Sequence, residues 1–450
     1  MRRQGSRWHD GYLSSYAGFY LTVIPAQAGT RGEEFVSHAS SARLGDSFAS
    51  NTLRMNTYLN ALGIICNLGA GKPTVAEALF AGDDKGIRPE AGWIPGHAPP
   101  LGSVRTPLPP IPAELADRRT NRNNQLLLAA AQEIEADIHA AISRYDHARI
   151  GVVLGTSTTG IEEATQGIGA YQRDGKWPAD YRYAHQELGA PAEFLAEWLQ
   201  LAGPCYSIST ACTSGARALL SAQRLLRLGL CDAVICGGVD TLCRLAINGF
   251  HALEAVDLQR CDPFSLHRRG INIGEAAVVF LMTREQGPVQ LLGGGASSDA
   301  YHMSSPDPQG TGAQKAMQDA LHNARLNAAQ IDYVNLHGTA TEHNDSMESL
   351  AIASTFAHDV PCSSTKSLTG HTLAAAGALE AAFCSLSLTD NRAERRLPPH
   401  IWDGETDPAL PSLNFTHIGS HLPAEGRRFL MSNSFAFGGN NACLIFGDPA

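Results

Sequence analysis

The sequence predicts an α/β fold in which two similar halves meet at one site. Three observations carry this expectation. Near-continuous apolar runs such as Ile150-Gly151-Val152-Val153-Leu154-Gly155 alternate with helical patterns, and strands that are apolar throughout belong to sheets covered on both faces. The 44 glycines, with abundant alanine, suit closely packed layers. One local design, strand then small-residue loop then helix, also occurs twice.

In chain order, residues 1–54 mix Arg, Ser, Gly and aromatics without a sustained period. They read as a loose extension or a misplaced start ahead of Met55. A rival reading is a signal peptide, from Arg2 and Arg3, the apolar stretch Phe19 to Ile24 and Ala26-Gln27-Ala28. Tyr58 to Leu68 is a buried strand that turns at Gly69. Ala148 to Gly155 is a second strand, followed by Thr156-Ser157-Thr158-Thr159-Gly160. The run Tyr206-Ser207-Ile208-Ser209 leads into Thr210-Ala211-Cys212-Thr213-Ser214-Gly215-Ala216. A helical pattern leaves it through Leu219, Leu220, Gln223 and Leu226 to Gly229. Asp232 to Val239 is another strand. The boundary between the halves, residues 55–290 and 291–450, falls before Leu291-Leu292-Gly293-Gly294-Gly295. In the second half Pro361-Cys362-Ser363-Ser364, a loop with Lys366, and an Ala-rich helix after His371 repeat the Cys212 corner.

Composition narrows the function. With 44% hydrophobic and 17% charged residues the 450-residue chain is globular. It has no run of about 18 apolar residues, so no membrane span is expected. A net charge of -10 argues against a general nucleic-acid binder. The 10 cysteines include no CxxC pair, which excludes a structural zinc site of ordinary spacing. Cys205, Cys231, Cys236, Cys243 and Cys261 read as small, reduced core residues of a cytoplasmic protein.

Cys212 is the most informative residue. A cysteine at a strand-to-helix corner sits where backbone N–H groups favour negative charge, and the thiolate is the nucleophilic form. Small neighbours leave room for a carbonyl. By itself the corner fits a nucleophile and a buried structural cysteine equally well.

Three later segments weigh in. They are Asn335-Leu336-His337-Gly338-Thr339-Ala340-Thr341-Glu342-His343-Asn344-Asp345 with Glu348, then Ser364-Thr365-Lys366-Ser367-Leu368-Thr369-Gly370-His371 with Glu380, and Ser432-Asn433-Ser434-Phe435-Ala436-Phe437-Gly438-Gly439-Asn440-Asn441. With Cys212, and in this order, the set resembles the elongating, Cys-His-His type of β-ketoacyl-acyl carrier protein synthase, from about Met55 to the C-terminus. The resemblance implies a thiolase-like fold of two duplicated βα halves in αβαβα layers. It implies an acyltransferase that condenses a Cys212 thioester with malonyl-acyl carrier protein, releasing CO2. It implies no cofactor beyond the carrier's phosphopantetheine, and no metal.

Roles follow by the same resemblance. His337 and His371 donate to the malonyl thioester oxygen, and Lys366 supports them, paired with Glu380. Thr339 and Thr341 bind the phosphopantetheine arm, or cap local backbone. Asp345 and Glu348 shape their loop. The N–H groups of Cys212 and Phe437 form an oxyanion hole, and Phe437, Gly438 and Gly439 form a gate. Thr158 lines the acyl pocket and makes it more polar. Cys261 to Gly270 and Gly274-Glu275-Ala276 are loop architecture. His302, His322 and His343 are structural. Arg118, Arg119 and Arg122 are either a docking patch for an acidic carrier protein or a solvated helix start.

Two positions depart from the family pattern. Ala436 stands where Gly is usual, which predicts a stiffer gate, and Asn440 stands where Thr is usual. Ala91-Gly92-Trp93, Arg122-Asn123-Asn124-Gln125 and Asn440-Asn441 resemble the aryl polyene branch, whose members work as homodimers or beside a chain-length-factor subunit. A fatty acid elongation synthase is the near alternative. A non-catalytic chain-length factor would lack the nucleophile, and a thiolase would need a second reactive cysteine, for which Cys443 lies in a strand-like run.

Overall fold

The computed structural model describes residues 55–357, 359–390 and 395–450, so the readings of residues 1–54 lie outside the described residues. Eleven strands follow one another in a principal sheet. In the first half these are β1 (Thr57–Cys66), β2 (Ile150–Gly155), β3 (Cys205–Ile208), β4 (Ala233–Asp240) and β5 (Ala276–Thr283). In the second they are β6 (Val289–Ser298), β7 (Tyr333–Asn335), β8 (Pro361–Ser363), β9 (Asn414–Phe415), β10 (Phe429–Ala436) and β11 (Asn440–Gly447).

Across the sheet the order is β9-β8-β7-β10-β11-β6-β1-β5-β4-β2-β3. Setting aside the short edge strand β9, each half has the same internal order. Its third, second, fourth, fifth and first strands lie side by side. The pairing senses also repeat: β2 is parallel to β3 and β4, as β7 is to β8 and β10. The fifth strand is antiparallel to its neighbours in both halves. The halves join where β1 meets β6, with Thr57 opposite Leu291. The duplication read from two loop corners thus extends to the whole sheet.

Helices α1 (Arg122–Glu133) and α2 (Ala190–Trp198) cover the outer face of the first half. Helix α3 (Ser214–Arg227) packs between the halves, α4 (Thr311–Ala324) and α5 (Glu342–Thr355) cover the outer face of the second, and α6 (Ala376–Thr389) packs on α3. The result is five layers. Buried positions on α3 include Gly215, Leu219, Ala222 and Leu226, an apolar stripe of helical period. Helix α6 is buried all round, and Glu380 is its one charged residue. Each fully buried Leu or Phe in this layer contributes about 1.5–3 kcal/mol. Gln223 of α3 donates to Thr57 Oγ1 (2.9 Å) and Leu291 O (2.8 Å), tying the first strands of both halves together.

The crossing of α3 and α6 is a backbone contact. A Cβ on Gly215 would lie 2.7 Å from Ala378 N, and one on Gly377 would lie 2.8 Å from Ala216 N. Two glycines, one from each half, therefore set the spacing of the central layer. Gly377→Val is expected to destabilise the protein by about 1–3 kcal/mol through overpacking. Chemical denaturation checks this, and an unchanged midpoint would show that the helices can separate without cost.

Candidate active site

The two repeated corners bring their loops to one point. Cys212 lies two residues before α3, and its neighbour Ala211 takes the left-handed conformation with φ 51°. Such a backbone is strained for a residue with a Cβ, and such strain clusters at functional sites. Local hydroxyls hold it. Ser214 Oγ accepts from Thr210 N (2.9 Å) and donates to Ala211 O (2.5 Å), and Thr213 Oγ1 donates to Thr210 O (2.8 Å). On the equivalent corner, His371 N donates to Asn272 O (2.6 Å) and His371 O accepts from Gly274 N (3.0 Å).

Cys212, His337 and His371 meet, all buried, with their donor atoms within 4.8 Å of one another. His371 Nε2 is 3.0 Å from Cys212 Sγ, and the two imidazole rings stand nearly perpendicular, 5.3 Å apart. Lys366 Nζ meets three acceptors, one for each N–H: His337 Nδ1 (3.3 Å), His337 O and Glu380 Oε1. By donating to Nδ1 of His337, the amine leaves that ring's proton on Nε2. Glu348 accepts the backbone N–H of His337 (2.8 Å) and Gly338 (2.7 Å), and Asp345 accepts those of Thr339 (3.0 Å) and Phe264 (2.7 Å). These carboxylates fold the histidine loop from behind and do not face the thiol.

Burial dominates the electrostatics. It pushes the Cys212 thiol up to about 12, with Lys366 opposing. Burial thus opposes the thiolate that the helix terminus would favour, and His371 Nε2 is the ring nitrogen beside the thiol. His337 and His371 are both held well below 6.5, first by burial and then by Lys366, so both rings are neutral near pH 7. Burial raises Glu380 and Glu348 each to about 7, and Lys366 pulls Glu380 back.

A cleft of about 450 Å³ opens onto this centre, lined by Cys212, both histidines, Thr339, Thr341, Phe250 and the loop Phe435-Ala436-Phe437. The Thr339 and Thr341 hydroxyls bond each other (2.8 Å). The Phe437 ring rests 5.4 Å from Phe250. In the gate loop Gly438 N is taken by Met303 O (2.8 Å) and Gly439 N by Ala436 O (3.0 Å). Gly438 and Gly439 are left-handed (φ 81° and 73°), whereas Ala436 ends β10 with ordinary φ. The alanine therefore adds no strain, which corrects the stiffening expected of it. Asn440 Oδ1 accepts from Arg217 of α3 (3.4 Å).

Several readings change. Arg118, Arg119 and Arg122 are not a free basic patch. Arg118 and Arg119 pair with Glu197 (2.6 and 2.9 Å), and Arg122 pairs with the buried Glu275. Each of the three guanidinium groups thus has a carboxylate of this chain beside it, with Arg118 still exposed. The Thr158 hydroxyl is spent on the backbone of Thr241, donating at 3.0 Å and accepting at 2.9 Å, so it offers no free polar group to a pocket. Cys205 is exposed on edge strand β3, while the other nine cysteines are buried. His302, His322 and His343 are exposed, and His343 lines the cleft. Cys443 is fully buried in β11 and does not line the cleft, so it is not placed as a second reactive cysteine.

Sequence reasoning passed over Asp240. This buried carboxylate accepts from Thr156 Oγ1 (3.0 Å), Ser157 N (2.7 Å), Ser157 Oγ (2.5 Å), Thr158 N (2.8 Å) and Ala374 N (2.8 Å). It fastens the loop after β2 to the turn after His371. The available signal was an acid closing an otherwise apolar strand.

Comparison with known proteins agrees with this geometry. Residues 112–287 match the N-terminal domain of beta-ketoacyl synthase and residues 289–400 its C-terminal domain. The chain belongs to the β-ketoacyl synthase family. It is 31% identical to the 3-oxoacyl-[acyl-carrier-protein] synthase 2 of Coxiella burnetii, over 87% of this chain and 98% of that one. It is 32% identical to the enzyme of that name from Staphylococcus aureus, over 73% and 84%. Among solved structures it resembles the ketosynthase ApeO, in complex with its chain length factor ApeC, from Xenorhabdus doucetiae. That match has a TM-score of 0.83 and 45% identity over 88% of this chain and 98% of that one. The fold is thiolase-like, and the chain is an acyltransferase whose reaction is condensation of an acyl thioester with a malonyl thioester. Members of the family use no cofactor beyond the carrier's phosphopantetheine.

Lys366 and Glu380 form a buried pair, so removing one partner strands the other. Lys366→Ala is expected to cost about 3–5 kcal/mol, and the Lys366→Ala, Glu380→Ala double variant to recover much of that without recovering activity. Denaturation of the two variants tests the pair, and a double variant as unstable as the single one would overturn it.

Proposed function

We propose that this enzyme extends a polyene chain of the aryl polyene type on an acyl carrier protein, in the cytoplasm, beside a chain-length-factor-like subunit. The observation that carries the reading is the Cys212–His371 contact of 3.0 Å inside a cleft that also holds His337. The 45% identity to ApeO, against 31–32% to the synthase 2 enzymes, supports the pathway. Strand β3, which leads to Cys212, is a sheet edge bonded on one side only among the described residues, and such an edge fits a partner. Ten free thiols fit a reducing compartment. No helix among the described residues is long and apolar enough to cross a membrane.

The reaction divides at the thioester. Cys212 gives its proton to His371 Nε2 as the sulfur attacks the acyl carrier thioester, and the departing pantetheine thiol takes that proton. Covalent capture splits one hard step into two. By the family resemblance the N–H groups of Cys212 and Phe437 receive the carbonyl oxygen, and those of Gly438 and Gly439 are taken by Met303 O and Ala436 O. The neutral His371 ring then moves its one proton from Nδ1 to Nε2, and malonyl carrier enters with its thioester oxygen between the two histidines. His337 donates through Nε2–H because Lys366 occupies Nδ1. Charge grows on that oxygen as CO2 leaves, the carbanion attacks the Cys212 thioester carbonyl, and the C–S bond breaks to release the 3-oxoacyl carrier and a Cys212 thiolate that recovers a proton from water.

Intact-mass measurement after mixing with aryl-polyene-type and saturated acyl carriers tests this reading. Wild type should gain the acyl group and Cys212→Ala should not, with preference for the polyene-type donor. Failure with both donors in the presence of a chain-length-factor subunit would sink it. His371→Ala should lose about 10²–10³-fold in decarboxylation, the usual loss for one oxyanion donor.

The pH dependence is distinctive. A histidine whose pKa is lowered stays neutral as pH falls past 6.5. The His337 and His371 ring signals in an NMR titration of Cys212→Ala should therefore stay those of neutral imidazole from pH 8 to 6, and a ring titrating near 6.5 would contradict the buried neutral pair. A chelator should leave the rates unchanged.

A further inference from the structure

Exposed charged residues at the cleft include Glu254, Arg269, Glu342 and His343. The two adjacent arginines there have opposite fates. Arg268 is almost fully buried and spent. It donates to Asp407 (2.6 Å), Ser265 O (2.9 Å) and Ser346 Oγ (3.2 Å). Arg269 is exposed, and among the described residues no carboxylate, carbonyl or hydroxyl bonds its guanidinium. Asp257 feels its charge, but that carboxylate is itself buried and accepts Gln259 N (2.8 Å).

The backbone carrying Arg269 is fixed on both sides. Arg268 N donates to Ser265 O (3.2 Å), and Gly270 N donates to Ala340 O (2.9 Å). The second bond places Arg269 beside the Thr339–Thr341 loop, whose hydroxyls line the way to the histidines. Glu254 and Glu342 repel any anion entering, so an anionic ligand at this mouth needs a cation facing it. A guanidinium offers a planar fork that matches two oxygens of a phosphate.

We propose that Arg269 is a binding residue for the phosphate of the carrier's phosphopantetheine arm, holding it at the mouth while the threonines line the cleft further in. This rests on the ketosynthase reading. The order along the cleft would then be phosphate at Arg269, arm at Thr339 and Thr341, thioester at Cys212.

The test measures acylation rates of Cys212 by intact mass, in the presence of the chain-length-factor subunit, with one polyene-type acyl group on three donors: pantetheine, 4′-phosphopantetheine and acyl carrier protein. In wild type the phosphorylated thioester should react faster than the phosphate-free one. Arg269→Ala should shrink that ratio about five- to tenfold and slow the carrier-bound donor by a similar factor. Arg269→Lys should restore part of it as a point charge. A ratio unchanged in Arg269→Ala would overturn the proposal. So would a loss confined to the carrier-bound donor, which would assign Arg269 to the carrier's protein surface. Absence of acylation of wild type by all three donors would instead overturn the ketosynthase reading, and this proposal with it.

Discussion

The close crossing of α3 and α6 is the constraint on which the molecule depends. Each helix follows the corner that delivers one reactive group, Cys212 before α3 and His371 before α6. Gly215 and Gly377 let the two backbones touch, at distances a side chain would forbid. That contact brings sulfur and imidazole within 3.0 Å although 159 positions separate them in the chain. Duplication explains why one crossing suffices: two copies of a strand-loop-helix unit, packed helix against helix, place equivalent loops side by side.

Within this frame a buried cation organises the chemistry. Lys366 spends one N–H on Glu380, one on the His337 carbonyl and one on the His337 ring. A lysine in this position would be costly unpaired, and satisfying all three donors offsets that cost. Burial first and the charge of Lys366 second keep both histidines neutral, so each ring has one nitrogen able to accept a proton and one able to donate. Glu348 and Asp345 act one layer further out, on backbone N–H groups, and so fix the loop without drawing on the imidazoles.

Much of this was legible in the order of residues. Cys212, His337, Lys366 and His371 lie in motifs whose order along the chain resembles one family, although the Cys212 corner by itself fitted a structural cysteine equally well. The duplicated halves were visible as two similar corners. The arginines were not legible in the same way. Arg118, Arg119 and Arg122 form a basic run in sequence, yet Glu193, Glu197 and Glu275 pair with them from distant segments. Arg268 and Arg269 look alike in sequence, and only the neighbours supplied by folding make one a strut and the other a free fork. Asp240 was missed because its five donors come from two loops that meet only in three dimensions.

The sequence by itself determined the layered α/β class, since periodicity is a short-range property, and the family resemblance of its motifs singled out Cys212, His337 and His371. The tertiary structure decided what each charge does. It set the thiol up near 12, made Ala436 harmless at the end of β10, turned the Thr158 hydroxyl inward to Thr241, and left Arg269 open at the mouth. Ionisation, hydrogen-bond partners and exposure depend on groups far apart along the chain, and those are fixed only when the two halves close on each other.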